Sequence, residues 1–409
     1  MDVQNLQEKY PLLITFLKEN GYSKPYIDRF RREINHIFSS SKPGRWNSYT
    51  DVYLTYAKRS KATSYLREKR NIIGAIERFD IEGIYPNRLH RNHILNKTGY
   101  DFLSEEFKNV INIYCKVEKK RGKKDDTIYT ESHNATTFLL SLHHKGMDSF
   151  NKITERAVLE FFFQDGKLRR SCSYKKNISA VFKTCIPFFP ENTCSKVLSY
   201  LPALREKRKN IQYLTRDEVS RIKTILSDSK SSISLRDKAI GLLALYTGLR
   251  SCDIASLSLS DIDWMNDIVH IKQQKTEVPL VLPLRVTIGN AIYDYIIQER
   301  PKVSCKEVFV TQARPFTKLQ GSSMYNVAKK IMEAANIRIR SGDRQGFHIF
   351  RHHMAISLLE NGISQPVISR TMGHTSPASL GTYLNADFSH LKECALSIDC
   401  FPLRKEVLL

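Results

Sequence analysis

The sequence predicts a mainly α fold with a small antiparallel β-sheet, in a chain of 409 residues that is long enough for two or three domains. Apolar residues recur at helical spacing along most of the chain. The stretch IVHIKQQKTEVPLVLPL differs, because its apolar and polar residues alternate on both sides of a polar turn, which is typical of a β-hairpin. A hydrophobic fraction of 41% favours a folded chain over a disordered one.

Two helical domains are predicted before a basic linker. Residues 1–95 place apolar side chains at helical spacing, and residues 101–206 do the same in several aromatic-rich helices. Positions that follow Ser64 match those that follow Ser173 at a constant offset. The match predicts a duplicated helical module, although two amphipathic helices can also agree by chance.

A third domain is predicted over residues 211–409, after the linker LREKRKNIQY, with the boundary near residues 208–212. Thr215 followed by Glu218 forms a capping box, which predicts that a helix begins there. This capping box therefore marks the start of the folded part of the third domain.

The third domain continues with an apolar helix that Gly248 is predicted to end. A second helix begins near Ser251, so Arg250 lies at a helix junction where its guanidinium can point into a cleft. The hairpin follows, with Lys275 near its tip, and further helices are predicted over about residues 286–299 and 322–335.

The stretch GFHIFRHHMAISLLENGISQPVISRTMGHTSPASLGTYLN is predicted to form two helices and a loop. His348 and Arg351 are three residues apart, so they share one face of the first helix. Gly373 ends the second helix beside His374, and Tyr383 follows in a loop rich in small residues. Two imidazoles, a guanidinium and a phenol are the groups that transfer of a phosphodiester to a tyrosine needs, provided that the fold brings them together.

The chain is strongly basic. It has 64 Lys and Arg residues against 42 Asp and Glu residues, a net charge of +22. This balance favours a polyanionic partner, and nucleic acid is the commonest one, although a generally basic protein without such a partner has the same charge.

Other features of the composition exclude several classes of protein. The 8 cysteines do not show the close spacing of a zinc site, so they are expected to be reduced thiols. The first residues do not resemble a signal peptide, and no apolar run approaches the length that spans a bilayer. We therefore expect a cytoplasmic, nucleoid-associated protein with no membrane partner.

Five motifs in order resemble the tyrosine recombinases of the phage integrase family. They are TGLR ending at Arg250 with Asp253 three residues beyond, the hairpin lysine Lys275, HIFRHH from His348, the Gly-His pair ending at His374, and Tyr383. The resemblance covers roughly residues 211–400, whereas residues 101–206 resemble the family's core-binding domain only in helical pattern and charge. It implies helical DNA-clamping domains followed by a catalytic domain.

The resemblance also implies a role for each matching residue. Tyr383 is the expected nucleophile that forms a 3′-phosphotyrosyl link, and Arg250 and Arg351 are expected to bind the phosphate oxygens. Lys275 is the expected general acid. The remaining assignments are His348 as general base or hydrogen-bonding partner of the tyrosine, His374 as donor to a phosphate oxygen, and Asp253 in a supporting role. His352 and His353 are assigned supporting or structural roles at most, and neither a metal nor a cofactor is expected.

The partners expected from the resemblance are double-stranded DNA attachment sites and further copies of the chain. Residues 388–398 place apolar side chains on one helical stripe. This helix is expected to dock onto a neighbouring subunit of a homotetramer on DNA, or to pack on its own domain. A host DNA-bending factor or an excisionase is a further expected partner, and residues 1–95 are expected to bind arm-type sites or to add other DNA contacts.

Three functions fit these observations. The first is site-specific recombination, with integration and excision of a mobile element as the expected role. The second is DNA relaxation of the type IB topoisomerase kind, and the third is a DNA-binding architectural protein without catalysis. The full set of six catalytic residues disfavours the third function.

Overall fold

The computed structural model describes residues 3–39, 46–87, 98–205, 211–314, 316–376 and 380–384. Its contacts divide the chain into two compact units, the first made of residues 1–17 and 24–208 and the second of residues 18–23 and 209–409. The predicted fold class is confirmed, because the described residues are mostly helical and hold small antiparallel sheets.

The chain begins with four helices, of which the third has a complete capping box. The Ser48 hydroxyl accepts a hydrogen bond from the Asp51 backbone N–H, and the Asp51 carboxylate accepts one from the Ser48 backbone N–H at 2.9 Å. The fourth helix ends at Gly83, whose φ of 69° lies in the left-handed region. The four helices are α1 (Val3–Glu19), α2 (Lys24–Ser39), α3 (Tyr49–Arg59) and α4 (Thr63–Glu82).

The rest of the first unit packs around an aromatic core. Rings of Phe107, Phe138, Phe150 and Phe182 are buried and meet edge to face at centroid distances of 5.1 to 6.2 Å. The elements are α5 (Glu105–Lys120), α6 (Asp125–His143), α7 (Glu155–Phe162), β1 (Phe163–Gln164), β2 (Lys167–Leu168), α8 (Cys172–Cys185) and α9 (Thr193–Ser199).

The helices that match in sequence, α4 and α8, can be compared in their packing. Helix α4 packs against α2 and α3, and α8 packs against α5 and α6. Three matching pairs of apolar positions are buried on both helices, but Tyr65 is 40% exposed, and Phe79 is buried whereas its counterpart Phe188, beyond the end of α8, is 54% exposed. The duplicated module and the division into domains 1–95, 101–206 and 211–409 therefore remain predictions.

Helix α11 forms the centre of the second unit. Most of its residues are buried, and it contacts the five other helices from α10 to α15 that surround it. The helices are α10 (Arg216–Ser227), α11 (Leu235–Thr247), α12 (Ser251–Ala255), α13 (Val286–Asp294), α14 (Gly321–Ala334), α15 (His348–Glu360), α16 (Gln365–Met372) and α17 (Gly381–Leu384). The strands are β3 (Ile262–Asp263), β4 (Ile268–Lys272) and β5 (Pro279–Pro283), and they pair in the order β3-β4-β5.

Several local predictions for the second unit are confirmed. The capping box at Thr215 forms, Gly248 ends α11 with a φ of 62°, and β4 and β5 form the predicted hairpin. Gly373 ends α16 with a φ of 61°. The predicted apolar stripe over residues 388–398 lies outside the described residues. Within the part of the chain that the structure describes, no helix is both long enough and apolar enough to cross a bilayer.

Candidate active site

The arginine that follows α11 is held in place by two turns. Arg250 is the N-cap residue of α12, and its side chain is 16% exposed. Its Nη1 donates to Oε1 of Gln273 at 2.6 Å, and its Nη2 donates to the Gly373 carbonyl at 3.4 Å. The guanidinium is therefore fixed between the base of the β-hairpin and the end of α16.

Arg351, on α15, donates hydrogen bonds to backbone carbonyls close to those turns. Arg351 is 7% exposed, and it donates to the Gly248 carbonyl at 2.8 Å and to the Met372 carbonyl at 2.6 Å. Burial, and then the positive charge of Arg250, lowers the pKa of Arg351 to about 10. The two positive guanidinium groups repel each other, and an anion bound between them would offset that repulsion.

Asp253 lies beside Arg250 and is buried, with 1% of its surface exposed. Its Oδ1 accepts a hydrogen bond from the backbone N–H of Gln274 at 2.8 Å, and its Oδ2 lies 4.0 Å from Nη1 of Arg250. Among the described residues, Oδ2 has no hydrogen-bond donor. The carboxylate thus lies between the Arg250 guanidinium and the start of the hairpin turn, and the supporting role of Asp253 stays a prediction.

The hairpin turn carries Lys275 into the same region. The backbone N–H of Glu277 donates to the Gln273 carbonyl at 2.8 Å and closes the turn, while Lys275 is exposed. The positive charge of Lys275 is one of the causes that lower the pKa of His348, so the two side chains lie within electrostatic range. A lysine in an exposed turn beside a cationic cluster can reach a bound phosphodiester and donate a proton to it.

The two predicted catalytic histidines are both neutral near pH 7. His348 is the exposed first residue of α15, and its partial desolvation followed by the charges of Arg351 and Lys275 lowers its pKa. Burial, and then the charges of Arg351 and Arg250, lowers the pKa of His374 to about 4. The buried Nδ1 of His374 has no hydrogen-bond partner among the described residues.

Tyr383 packs among these groups on α17 and is 6% exposed. Its ring stacks on His374 with the centroids 6.1 Å apart, and its hydroxyl lies 3.3 Å from Nδ1 of His352. A hydrogen bond to the Tyr383 hydroxyl also raises the pKa of Arg351 against the larger effect of burial. The phenol oxygen therefore lies beside the Arg351 guanidinium and the His352 imidazole, and the phenol ring stacks on the His374 imidazole.

The structure brings the seven residues predicted from sequence into one region of the second unit. The turns at Gly248, Gln273 and Gly373 converge there, which is why motifs far apart in sequence meet. The catalytic roles assigned to the individual residues remain predictions. In the described part of the chain, no cluster of histidine, cysteine, aspartate or glutamate residues has the arrangement of a metal site.

Sequence reasoning missed two contributors to this region. His352 was assigned a supporting role at most, yet its ring is the imidazole that reaches the Tyr383 hydroxyl. Gln273 was not singled out, although its side chain is fully buried and binds Arg250. The only sequence signal for Gln273 was its position two residues before the hairpin lysine.

Comparison with known proteins identifies the family. A sequence model described as the phage integrase family matches residues 212–390. The integrase/recombinase y4gC of Sinorhizobium fredii is 34% identical over 186 residues, which cover 45% of this chain and 94% of that protein. The chain belongs to the phage integrase family of tyrosine recombinases. It is therefore a site-specific recombinase, an enzyme that transfers DNA strands.

Other tyrosine recombinases match larger parts of the chain at lower identity. The tyrosine recombinase XerA of Thermococcus onnurineus is 24% identical over 289 residues, 71% of this chain and 95% of that protein. The chain covers less than half of the integrase/recombinase y4rA of Sinorhizobium fredii, 43% of its length at 30% identity. The match therefore reaches beyond the second unit for some relatives and covers only part of the relative's length for others.

Two solved structures share the fold. A lambda integrase dimer bound to a COC′ core site aligns with a TM-score of 0.50 at 19% identity, over 75% of this chain and 83% of that chain. The integrase of transposon Tn1549, in complex with transposon right end DNA, also has a TM-score of 0.50, at 17% identity over 69% of this chain and 99% of that chain. At these identities the likeness establishes the tyrosine recombinase fold alone.

The depressed histidine pKa values predict how the stability of this recombinase depends on pH. An unfolded chain protonates His374 near pH 6.5, whereas the folded protein protonates it near pH 4. Between these two pH values the unfolded state therefore binds more protons than the folded state. The contribution of His374 to the free energy of unfolding is complete above about pH 6.5 and is lost as the pH falls towards 4. A shift of this size corresponds to at most roughly 3 kcal/mol, and to less for a partly exposed ring.

The expected result is a steeper fall in the thermal midpoint of wild type than of His374→Asn between pH 7 and pH 4.5. The exposed His133, changed to asparagine, is the matched control and should follow wild type. Differential scanning calorimetry across this range provides the measurement. Parallel pH profiles for wild type and His374→Asn would refute the assignment of this effect to His374.

Proposed function

We propose that this recombinase cleaves and rejoins DNA with Tyr383 as its nucleophile, and that it integrates and excises a mobile genetic element. The observation that carries the catalytic part is the juxtaposition of the Tyr383 hydroxyl with the Arg351 guanidinium and the His352 ring. A buried phenol beside a cationic pair is suited to attack a phosphodiester that the two arginines hold.

The reaction conserves the number of phosphodiester bonds. The Tyr383 oxygen forms a bond to phosphorus, the bond from phosphorus to the 5′-oxygen breaks, and a 3′-phosphotyrosyl link and a 5′-hydroxyl result. Lys275 supplies the proton that the leaving oxygen takes up. A 5′-hydroxyl from the partner strand then attacks the phosphotyrosine, which restores the DNA bond and releases the tyrosine.

The phenolic proton passes to an imidazole when Tyr383 attacks. His348 is the base proposed from the sequence, and His352 is the ring that lies 3.3 Å from the hydroxyl. Both rings have lowered pKa values, His352 to about 4 because of burial and then the nearby His348, so each is neutral at neutral pH and keeps one unprotonated ring nitrogen. That nitrogen is the proposed acceptor of the phenolic proton. Arg250 and Arg351 bind the non-bridging oxygens, and His374 donates to one of them in its neutral, Nε2-protonated form.

Two other functions are the alternatives to site-specific recombination. Relaxation of the type IB topoisomerase kind uses the same chemistry without exchange of partners, and an architectural DNA-binding protein would need no nucleophile. The relatives named as recombinases and integrases support strand exchange over both. The names integrase and transposon integrase among these relatives also support the role in a mobile element.

The proposal includes partners and domain roles. Residues 101–206 clamp the core of an attachment site, residues 1–95 add DNA contacts at arm-type sites or beside the core, and residues 211–409 catalyse the reaction. Four copies assemble on two sites through the C-terminal helix, because closed symmetry suits an exchange between two duplexes. A host bending factor or an excisionase sets the direction, and the protein works in the cytoplasm at the nucleoid, where its DNA substrate lies.

Covalent capture tests the proposed chemistry. The full chain is incubated with a nicked duplex that carries the junction between the element and its flanking DNA, and the products are separated on a denaturing gel. We expect a protein-DNA adduct, and mass spectrometry of its proteolytic digest should place the nucleotide on Tyr383. Absence of an adduct would refute the catalytic proposal, and relaxation of a supercoiled plasmid without the junction would favour the topoisomerase.

DNA binding by this recombinase is expected to weaken steeply with salt, since its net charge is +22. If six to ten phosphates are contacted, affinity should fall by about 10³ to 10⁵ between 50 and 200 mM salt, because each contact releases a counterion. Fluorescence anisotropy with a labelled attachment duplex measures the slope. A flat response would contradict a phosphate-dominated interface.

A further inference from the structure

One fully buried amide in the active-site region has no assigned role. Gln273 follows the last residue of β4, and its exposed fraction is 0%. Buried amides are stable only when their polar atoms have partners, so the identity of these partners indicates what the residue holds in place.

The Gln273 side chain connects the groups that surround the proposed phosphate site. Its Oε1 accepts hydrogen bonds from Nη1 of Arg250 at 2.6 Å and from the Thr276 hydroxyl at 2.5 Å. Its Nε2 donates to the Met372 carbonyl at 3.1 Å, which also accepts from Nη2 of Arg351 at 2.6 Å. One amide thereby fixes Arg250 directly and is linked to Arg351 through a shared carbonyl.

The Gln273 backbone shapes the turn that carries Lys275. Its N–H donates to the Val278 carbonyl at 3.1 Å, and its carbonyl accepts from the Glu277 N–H at 2.8 Å. The Thr276 hydroxyl bond ties the same turn to the side chain. A change in the Gln273 side chain therefore affects the position of the proposed general acid.

The amide fits against a glycine at the end of α16. A Cβ added to Gly373 would lie 2.3 Å from the Gln273 amide atoms, and the φ of Gly373 is +61°. Any side chain at position 373 would therefore collide with this amide.

We propose that Gln273 is a positioning residue that sets the geometry of Arg250 and of the Lys275 turn for the cleavage step. This inference rests on the proposed function. An amide suits the position because it accepts from Arg250 and donates to Met372 at the same time. A carboxylate of the same size would keep the first bond, lose the second and reduce the positive charge that the phosphate needs.

The test compares single-turnover cleavage by wild type, Gln273→Met and Gln273→Glu on the nicked attachment duplex. We expect both variants to cleave about 100-fold more slowly, a loss typical of a displaced oxyanion-binding group. DNA affinity should stay within about threefold of wild type, because the amide does not itself touch DNA. Gln312→Met is the matched control, since Gln312 is exposed and pairs with Glu299 outside the site.

A second substrate shows whether a Gln273 variant cleaves slowly because Lys275 and Arg250 are misplaced or because the protein is unfolded. A duplex with sulfur in place of the bridging 5′-oxygen has a leaving group that departs without protonation, so it bypasses Lys275. On this substrate the cleavage rate of Gln273→Met should lie about tenfold closer to the wild-type rate than it does on the oxygen substrate. The defect that remains measures the displacement of Arg250. A general loss of folding would lower both rates equally.

Several outcomes would overturn the inference. These are cleavage by Gln273→Met and Gln273→Glu within about twofold of wild type, equal losses with oxygen and sulfur leaving groups, or a defect confined to DNA affinity. If wild type forms an adduct on Tyr383 and the Gln273 variants cleave at the wild-type rate, only the role of Gln273 is refuted. If wild type forms no adduct, the proposed function fails and the inference fails with it.

Discussion

Tyr383→Phe is expected to abolish the covalent protein-DNA adduct while DNA binding stays close to wild type. The substitution removes only the hydroxyl that would bond to phosphorus. The ring is 6% exposed and packs in the apolar cluster that includes Ile356 and Met372, so phenylalanine preserves its packing. Cleavage of the nicked attachment duplex should fall by about 10⁴-fold or more, to below detection on a denaturing gel.

Two other tyrosines of the second unit are the controls for this prediction. Tyr325 and Tyr293 are 50% and 56% exposed; the Tyr325 hydroxyl donates to Gln345, and the Tyr293 ring packs against Trp264. Tyr325→Phe and Tyr293→Phe should form adducts at wild-type rates. An adduct of undiminished yield with Tyr383→Phe would show that another residue is the nucleophile.

Arg351→Lys is expected to reduce the cleavage rate by about 10³-fold, because a lysine cannot present two parallel N–H groups to a phosphate. The arginine also bridges the carbonyls of Gly248 and Met372. Lysine carries its donors on one nitrogen and cannot reproduce the separation of Nη1 and Nη2, so we expect a loss of roughly 1–3 kcal/mol in stability as well. Single-turnover cleavage and urea unfolding measure the two effects separately.

The control for this substitution is Arg370→Lys, since Arg370 is exposed in the last turn of α16. It should retain wild-type cleavage and stability. The catalytic part of the prediction requires that Arg351→Lys remain slow at temperatures where it is fully folded. Recovery of the wild-type rate under those conditions would leave Arg351 with a structural role only.

Local chemistry explains why much of the second unit could be predicted from sequence. The capping box at Thr215, the left-handed glycines Gly248 and Gly373, and the alternation around Lys275 each fix a helix end or a hairpin through neighbouring residues. Because these signals involve residues close in sequence, they remained valid in the folded chain.

The features that were missed depend on contacts between distant residues. The choice between His348 and His352 as the neighbour of the phenol depends on where α17 places Tyr383, and no periodicity within HIFRHH contains that information. Gln273 binds Arg250 and Met372, which lie far from it in sequence. The two short strands after α7 were also missed, since a pair of residues in each strand is too short to show alternation.

The buried apolar residues that pack around Tyr383 matter for engineering this enzyme. Most of the buried apolar side chains around Tyr383 come from α15, which carries Arg351, and from α16, which precedes His374. Substitutions at Ile356 or Met372 would therefore alter the reaction rate on every target sequence alike. Efforts to redirect the recombinase to new DNA sites should leave this cluster unchanged and vary residues outside it.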